Sequence, residues 1–212
     1  MPRPRKAPRR HSVRGQVLDA LRSALIGGEL TPGEVYSAPT LAERFGVSPT
    51  PVREAMQQLA GEGAVEVVPN RGFRVARRSA RELAELAEVR ALLEIPVVLD
   101  LARELPRERW ASLRPAAEAT AAAAATGDRA AYLDSDRAFH QAVLSLAGNR
   151  QLVLVADDLH RRVQSPVVPG EFTRVTDLVA DAAEHLALLD ALADQDLDAA
   201  EVLLREHLRT TL

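Results

Sequence analysis

The residues best suited to chemistry in this chain are its histidines. His140 lies in LDSDRAFHQAVL with Asp136 four residues before it, one turn away on the same helical face. His185 falls on the apolar stripe Leu178, Ala182, Leu189 and Leu192, and His207 aligns with Ala200, Leu203 and Leu204. All three imidazoles are therefore expected to point into a helical core. A single inward histidine is most often a hydrogen-bonded core residue. Three of them with a carboxylate are harder to explain that way, because burying an unpaired carboxylate is costly and a divalent cation compensates it. One carboxylate and three neutral imidazoles around such a cation leave a net charge near +1 and can leave coordination positions open. A small carboxylate effector can occupy them. Arg90 and Glu94, at i and i+4, are expected either to line the same cavity, with Arg90 pairing with the effector's acid group, or to form an exposed helix ion pair. His160, in the polar segment DDLHRR, is expected at the surface or an interface.

The same set read as a hydrolytic centre needs a general base beside a water on the cation. Glu184 is the candidate, but adjacent residues on a helix diverge by about 100°. No HExxH, Ser-His-Asp order or phosphate-cradling glycine loop occurs. A metal-dependent helical-bundle hydrolase with an incidental DNA-binding head is the alternative reading, and a purely structural cation is a third.

A second functional set lies at 40–63, TLAERFGVSPTPVREAMQQLAGEG. Leu41 and Phe45 share one short helical face, Gly46 breaks the helix, and Val52, Met56, Leu59 and Ala60 form a second stripe that can pack on the first. Ser48 is placed to cap the second helix, and Pro49 and Pro51 fall where a missing N–H costs little. Thr50 and Arg53 then project from the start of a recognition helix toward base edges and phosphates of double-stranded DNA.

These sets need elements to hold them. The chain has 212 residues, 47% hydrophobic but only 3% aromatic, so its core must be built mainly from Leu, Val and Ala, which favours a mostly α fold. Residues 1–78 hold 13 Lys and Arg against 7 Asp and Glu, net +6, whereas the remainder holds 14 against 23, net −9. A basic module is joined to an acidic one, as suits a polyanion-binding head on a ligand-binding body. There is no cysteine, which excludes disulfides and thiolate metal sites. No apolar run approaches the roughly 20 residues of a membrane span. The basic start lacks the apolar segment of a secretory signal, so a cytoplasmic protein without membrane contact is expected.

The expected organisation is a basic arm at 1–11, a winged helix-turn-helix at 12–77, a hinge at 78–80 and an all-α six-helix bundle at 81–212. In the head, Val13, Val17, Leu21, Ala24 and Leu25 recur at helical spacing before Gly27-Gly28. Val65, Val67, Phe73 and Val75 alternate about Pro69 to Gly72, two strands with Arg71 at the wing tip facing a phosphate or minor groove. In the body, helices are expected at 80–104, 106–126, 128–147, 150–165, 172–193 and 196–211, with Ser79 capping the first and Pro96 kinking it.

The run IGGELTPGEVYSAPTLAERFGVSPTPVREAMQQLAGEGAVEVVPNRGFRVA resembles the winged-helix domain of the GntR family of bacterial transcription regulators, over about residues 12–77. The pattern GVSxTPVREAxxxLxxEG is specific to it. By position, the resemblance implies DNA contacts from Ser48, Thr50, Arg53, Arg71 and Gly72. Pro49 stands where many members have Arg, and a basic residue is common near Pro39, so base preference or binding strength is expected to differ. The body resembles the six-helix FCD domain of the FadR-type subfamily, over about 80–211. Its metal-binding members use an Asp-x-x-x-His pair and two later histidines, which match Asp136, His140, His185 and His207. The resemblance implies a homodimer on operator DNA, with zinc as the first expectation for the divalent cation and nickel or manganese as alternatives.

Overall fold

The computed structural model describes residues 13–164 and 175–210. The expected basic arm at 1–11 and the break from Pro166 to Gly170 lie outside them. The head begins with α1 (Val13–Ile26), which buries Val17, Leu18, Leu21, Ala24 and Leu25. Val13, the first helical residue, is exposed rather than part of that stripe. Strand β1 (Val35–Tyr36) leads into α2 (Ala38–Phe45), whose first turn is capped by the Ser37 side chain and whose end is Gly46 in the left-handed region at φ 65°. Helix α3 (Pro49–Gly61) buries Val52, Ala55, Met56 and Leu59 against α1 and α2.

Strands β2 (Val65–Val68) and β3 (Gly72–Val75) form the wing, and the sheet order is β1-β3-β2, all antiparallel. Strand β1 was not foreseen, because two residues offer no alternation to read. Val65, Phe73 and Val75 face the core, but Val67 is 55% exposed, beyond the reach of the helices where the hairpin projects. Gly72 has φ 130°, and a Cβ there would lie 2.3 Å from the Tyr36 carbonyl oxygen. The close approach of β1 to the wing therefore requires glycine.

In the body, α4 (Ala80–Glu104) starts with a reciprocal cap: the Glu82 N–H donates to Ser79 Oγ at 3.2 Å, and the Ser79 N–H to Glu82 Oε2 at 2.7 Å. It runs uninterrupted through Pro96. The single helix expected at 106–126 is instead α5 (Arg107–Ala111) and α6 (Arg114–Thr126). Pro115 has no N–H to give the preceding turn, and Trp110, fully buried, anchors the short piece. Then follow α7 (Arg129–Ser145), α8 (Arg150–Val163), α9 (Val175–Ala193) and α10 (Leu197–Thr210). Helix α6 packs on α7 and α9, α10 on α4 and α9, and α8 on α4 and α7. One apolar core joins Ile95, Val98, Trp110, Phe139, Leu188 and Leu204. Head meets body where Ile26 packs on Ala124, Tyr132, Leu133, Leu178 and Ala182. No helix among the described residues is long and apolar enough to cross a membrane.

Replacing Gly72 by Ala should therefore destabilise the head by about 1–3 kcal/mol, the scale of a strained backbone position, measurable as an earlier thermal transition of an isolated head or of the full chain. An unchanged transition would make Gly72 dispensable to the fold.

Candidate metal centre and nucleic-acid interface

The 3.6-residue period carries Asp136 and His140 on one face of α7, His185 on α9 and His207 on α10, and packing of the three helices brings all four inside. Their relative exposures are 0%, 6%, 0% and 1%. His207 Nε2 is 3.0 Å from His140 Nε2 and 3.1 Å from His185 Nε2; Asp136 Oδ1 is 3.2 Å from His185 Nε2 and 3.7 Å from His140 Nε2. Nitrogen and oxygen ligands bonded to zinc at about 2.0–2.1 Å in a tetrahedron lie about 3.3 Å apart. The four atoms have that spacing. A hydrogen on His207 Nε2 can serve only one of its two neighbours, and among the described residues the buried Asp136 Oδ1, 3.2 Å from His185 Nε2, makes no well-formed hydrogen bond. The residues present thus fit a divalent cation.

The outer atoms of three of the four are held from behind. Glu94 Oε2 lies 3.3 Å from His140 Nδ1, and Glu184 Oε2 and Asp181 Oδ1 lie 2.9 Å and 3.3 Å from His207 Nδ1. Tyr132 donates its hydroxyl to the other oxygen of Asp181. Asp136 Oδ2 accepts from His160 Nε2 at 2.8 Å and from Gln164 Nε2 at 3.1 Å. His185 is positioned differently: its ring stacks on Phe139 at 4.2 Å, and its Nδ1 has no hydrogen-bond partner among the described residues. Such outer contacts fix ring orientation and aim the inner lone pairs. Asp181, Glu184 and His207 Nδ1 form a second cluster of donor atoms, but a donor Nδ1–H accounts for its geometry.

One expectation changes here, and one of two alternatives is set aside. His160 is not a surface residue; it is 2% exposed and is the direct partner of Asp136. Ala156, His160 and Val163 do form a buried i, i+4, i+7 stripe, hidden in the sequence by Asp157, Asp158, Arg161 and Arg162. Arg90 and Glu94 are not an exposed pair; both are buried, with Arg90 Nε 2.8 Å from Glu94 Oε1 and Arg90 Nη2 3.3 Å from His160 Nδ1. Arg90 thus stands behind the four candidate ligands, and its buried Nη1 has no hydrogen-bond partner among the described residues.

The electrostatics follow from this packing. Burial would raise the Asp136 carboxyl, but His160 and then His185 and His140 hold it well below the usual range. Glu94, resisting the same burial, is lowered to about 2 by Arg90 and His140. Burial pushes His140 down to about 3 and lowers His160 and His185, so these rings are neutral. His207 goes the other way: burial is outweighed by Asp181 and Glu184, and it rises to about 9. Beside the centre is a cavity of about 10 Å³, lined by Glu94, Arg137, His140, Gln141, Asp157 and His160 among others. That is room for a single water.

On the head, Ser48, Thr50, Arg53 and Arg71 are exposed, the first three at the start of α3 and Arg71 at the wing tip. Ser48 occupies the cap position at φ −74°, ψ 157°, yet its side chain makes no capping bond. Its usual partners are the N–H groups of the second and third helical residues, and the third, Pro51, has none. With Pro49 first, Thr50 supplies the one N–H of that opening triplet. The Ser48 hydroxyl and the Thr50 N–H sit together at the positive end of the α3 dipole. Gly72 is partly buried beneath the wing tip.

Two family models match separate stretches of the chain. Residues 13–75 match the bacterial regulatory proteins of the gntR family, and residues 85–210 match the FCD domain. The chain is 30% identical over 204 residues to a probable D-xylose utilization operon transcriptional repressor of Paenarthrobacter nicotinovorans, covering 96% of this chain and 88% of that protein. It is 28% identical over 200 residues to the HTH-type transcriptional repressor GlaR of Escherichia coli, covering 91% and 90%. Among solved structures, E. coli McbR/YncC has a TM-score of 0.70 at 28% identity, over 93% of this chain and 94% of that one. With a winged head that matches one family and a helical body that matches its companion domain, the chain belongs to the FadR-type subfamily of GntR transcription regulators and is a DNA-binding regulator.

Proposed function

We propose that this regulator is a cytoplasmic homodimer whose grip on operator DNA is set by a small carboxylate effector at a divalent cation, held by Asp136, His140, His185 and His207. The observation that carries this reading is the convergence of four buried donor atoms on one point, with one carboxylate oxygen that makes no hydrogen bond among the described residues. Three nitrogens and an oxygen suit zinc first, then nickel or manganese. When bound, the cation would take a carboxylate by expanding its coordination beyond these four protein ligands. The protein's own part is to keep three imidazole lone pairs inward through Glu94, Glu184, Asp181 and the Phe139 stack. Arg90 Nη1 is a buried donor suited to the effector's second oxygen. Because the adjoining cavity holds no more than a water, effector entry requires α4, α7 and α8 to separate. Only a difference in affinity between the two arrangements can then alter the spacing of the heads.

In this reading the head at 12–77, the hinge at 78–80 and the body at 81–212 act as distinct units. Ser48, Thr50, Arg53 and Arg71 contact DNA, while Gly72 lets the wing approach it. Val89 and Leu92 on α4 and Leu154 and Val155 on α8 are exposed, and the two helices pack side by side, which supports an apolar face for a second copy. A two-fold dimer matches a two-fold operator. The contact of Glu184 with His207 Nδ1, on the opposite ring edge from the converging atoms, favours the regulator reading over the hydrolase alternative.

Replacing His185 by Ala should abolish stoichiometric zinc retention and the effector response; full metal content in that variant would return these histidines to the core. Because His207 is protonated below about pH 9, zinc uptake at pH 7 should release about one proton, and the release should vanish above pH 9. Calorimetry in buffers of different ionisation enthalpy reads this directly. Arg53→Ala should weaken specific binding by about 1–3 kcal/mol, the worth of a bidentate base contact, and leave zinc uptake intact; parent-like operator affinity would mean that α3 docks by another face.

A further inference from the structure

Asp136 Oδ2 is gripped by two side chains from the end of α8, His160 and Gln164, one turn apart. Gln164 Nε2 also donates to the Leu133 carbonyl at 3.0 Å. The carboxylate therefore pins the last turn of α8 to α7. Carbonyls in a last turn have no following helical N–H to accept from. That of Arg162, midway between the two gripping residues, accepts from Arg78 Nε at 2.8 Å. Arg78 Nη2 donates at 2.9 Å to the carbonyl of Gly63. Gly63, at φ 72°, joins the end of α3 to β2, and its neighbour Glu62 is paired with Arg22 of α1 at 2.8 Å.

One guanidinium in the hinge thus ties the junction of recognition helix and wing to the helix turn that holds Asp136. Beside it is a cavity of about 60 Å³, walled by Leu25, Leu59 and Glu62 from the head and by Leu133, Arg137 and Gln164 from the body. Apolar packing does not fill the junction there, so a shift of α8 reaches the head through this bridge, beside the Ile26 contact.

We propose that Arg78 is the positioning residue that couples the Asp136 centre to the recognition helix, by holding the Arg162 and Gly63 carbonyls in the two arms of one planar fork. The proposal rests on reading that centre as the site that controls operator binding. A rearrangement of Asp136 moves His160 and Gln164, they carry the Arg162 carbonyl, and Arg78 transmits the displacement to the C-terminal end of α3. Lysine keeps the charge but is a point donor without the fork. Arg78→Lys therefore separates the bridge from general attraction to DNA phosphates.

The test is a double-mutant cycle on the full chain, with affinity measured for a duplex selected by the parent protein from a randomised library. Gln164→Ala should change that affinity by about 5-fold or more in the parent, the lower end of ordinary intersite coupling. In the Arg78→Lys background it should change it by less than about 2-fold, the usual tolerance for independent sites. Arg78→Lys should keep the parent's zinc affinity and thermal midpoint, readouts that a general loss of structure would move. Equal effects of Gln164→Ala in both backgrounds, or none in the parent, would overturn the proposal, and His160→Gln supplies the same body-side perturbation if Gln164→Ala is insoluble. Zinc calorimetry on the parent judges the metal reading separately: if no zinc binds, that reading fails while the cycle still decides whether Arg78 links body to head.

Discussion

A carboxylate with no access to water governs the body of this protein. Asp136 is fully buried and ionised, and a buried charge is tolerated only when other groups meet it with hydrogen bonds or opposite charge. His160 and Gln164 answer one oxygen, and the three converging imidazoles surround the other. Those groups need partners in turn, which brings Arg90 and Glu94 inside from α4 and recruits Asp181 and Glu184 from α9 and Tyr132 from α7. Five helices are thus committed to one polar network, and each added member is there because an earlier one would otherwise be unsatisfied. Apolar packing around Phe139 and Leu188 seals the network without specifying it.

Much of this was legible in the sequence because helical spacing is a strong signal. Asp136 and His140 at i and i+4, and His185 and His207 each on an apolar stripe, already define four inward positions. His160 was not legible, since four charged neighbours outweigh the two apolar residues that share its buried face. The depth of Arg90 and Glu94 was equally hidden: an i, i+4 pair looks the same in sequence whether water or another helix covers it. The break between α5 and α6 was signalled by Pro115, but the helical character of the alanine-rich stretch masked it. Strand β1 is too short to carry any period of its own, and only its partner β3 makes it a strand.

The head shows the opposite economy. Its fold depends on regular features, a capped helix, a left-handed glycine at 46 and one antiparallel sheet, while its functional surface is made of irregularities. Prolines at 49 and 51 remove two N–H groups from the opening of α3 and leave the Ser48 hydroxyl outside the helix. Ser48 reads as a cap because its residue type and position are right; it does occupy the cap position, but Pro51 removes one of its two usual partners and its side chain makes no capping bond. What remains is a helix start with few, well-separated donors, which makes its hold on a phosphate more dependent on side chains.

Trp110 has a consequence of a different kind. It is the sole tryptophan of the chain, fully buried in α5, and its indole N–H has no hydrogen-bond partner among the described residues. An indole held dry and unbonded emits toward the blue, and its emission moves to the red once water reaches it. The head has no tryptophan of its own, so the chain has a built-in optical label on one module only. Melting of the winged helix is silent in that colour, and any early red shift reports the body opening.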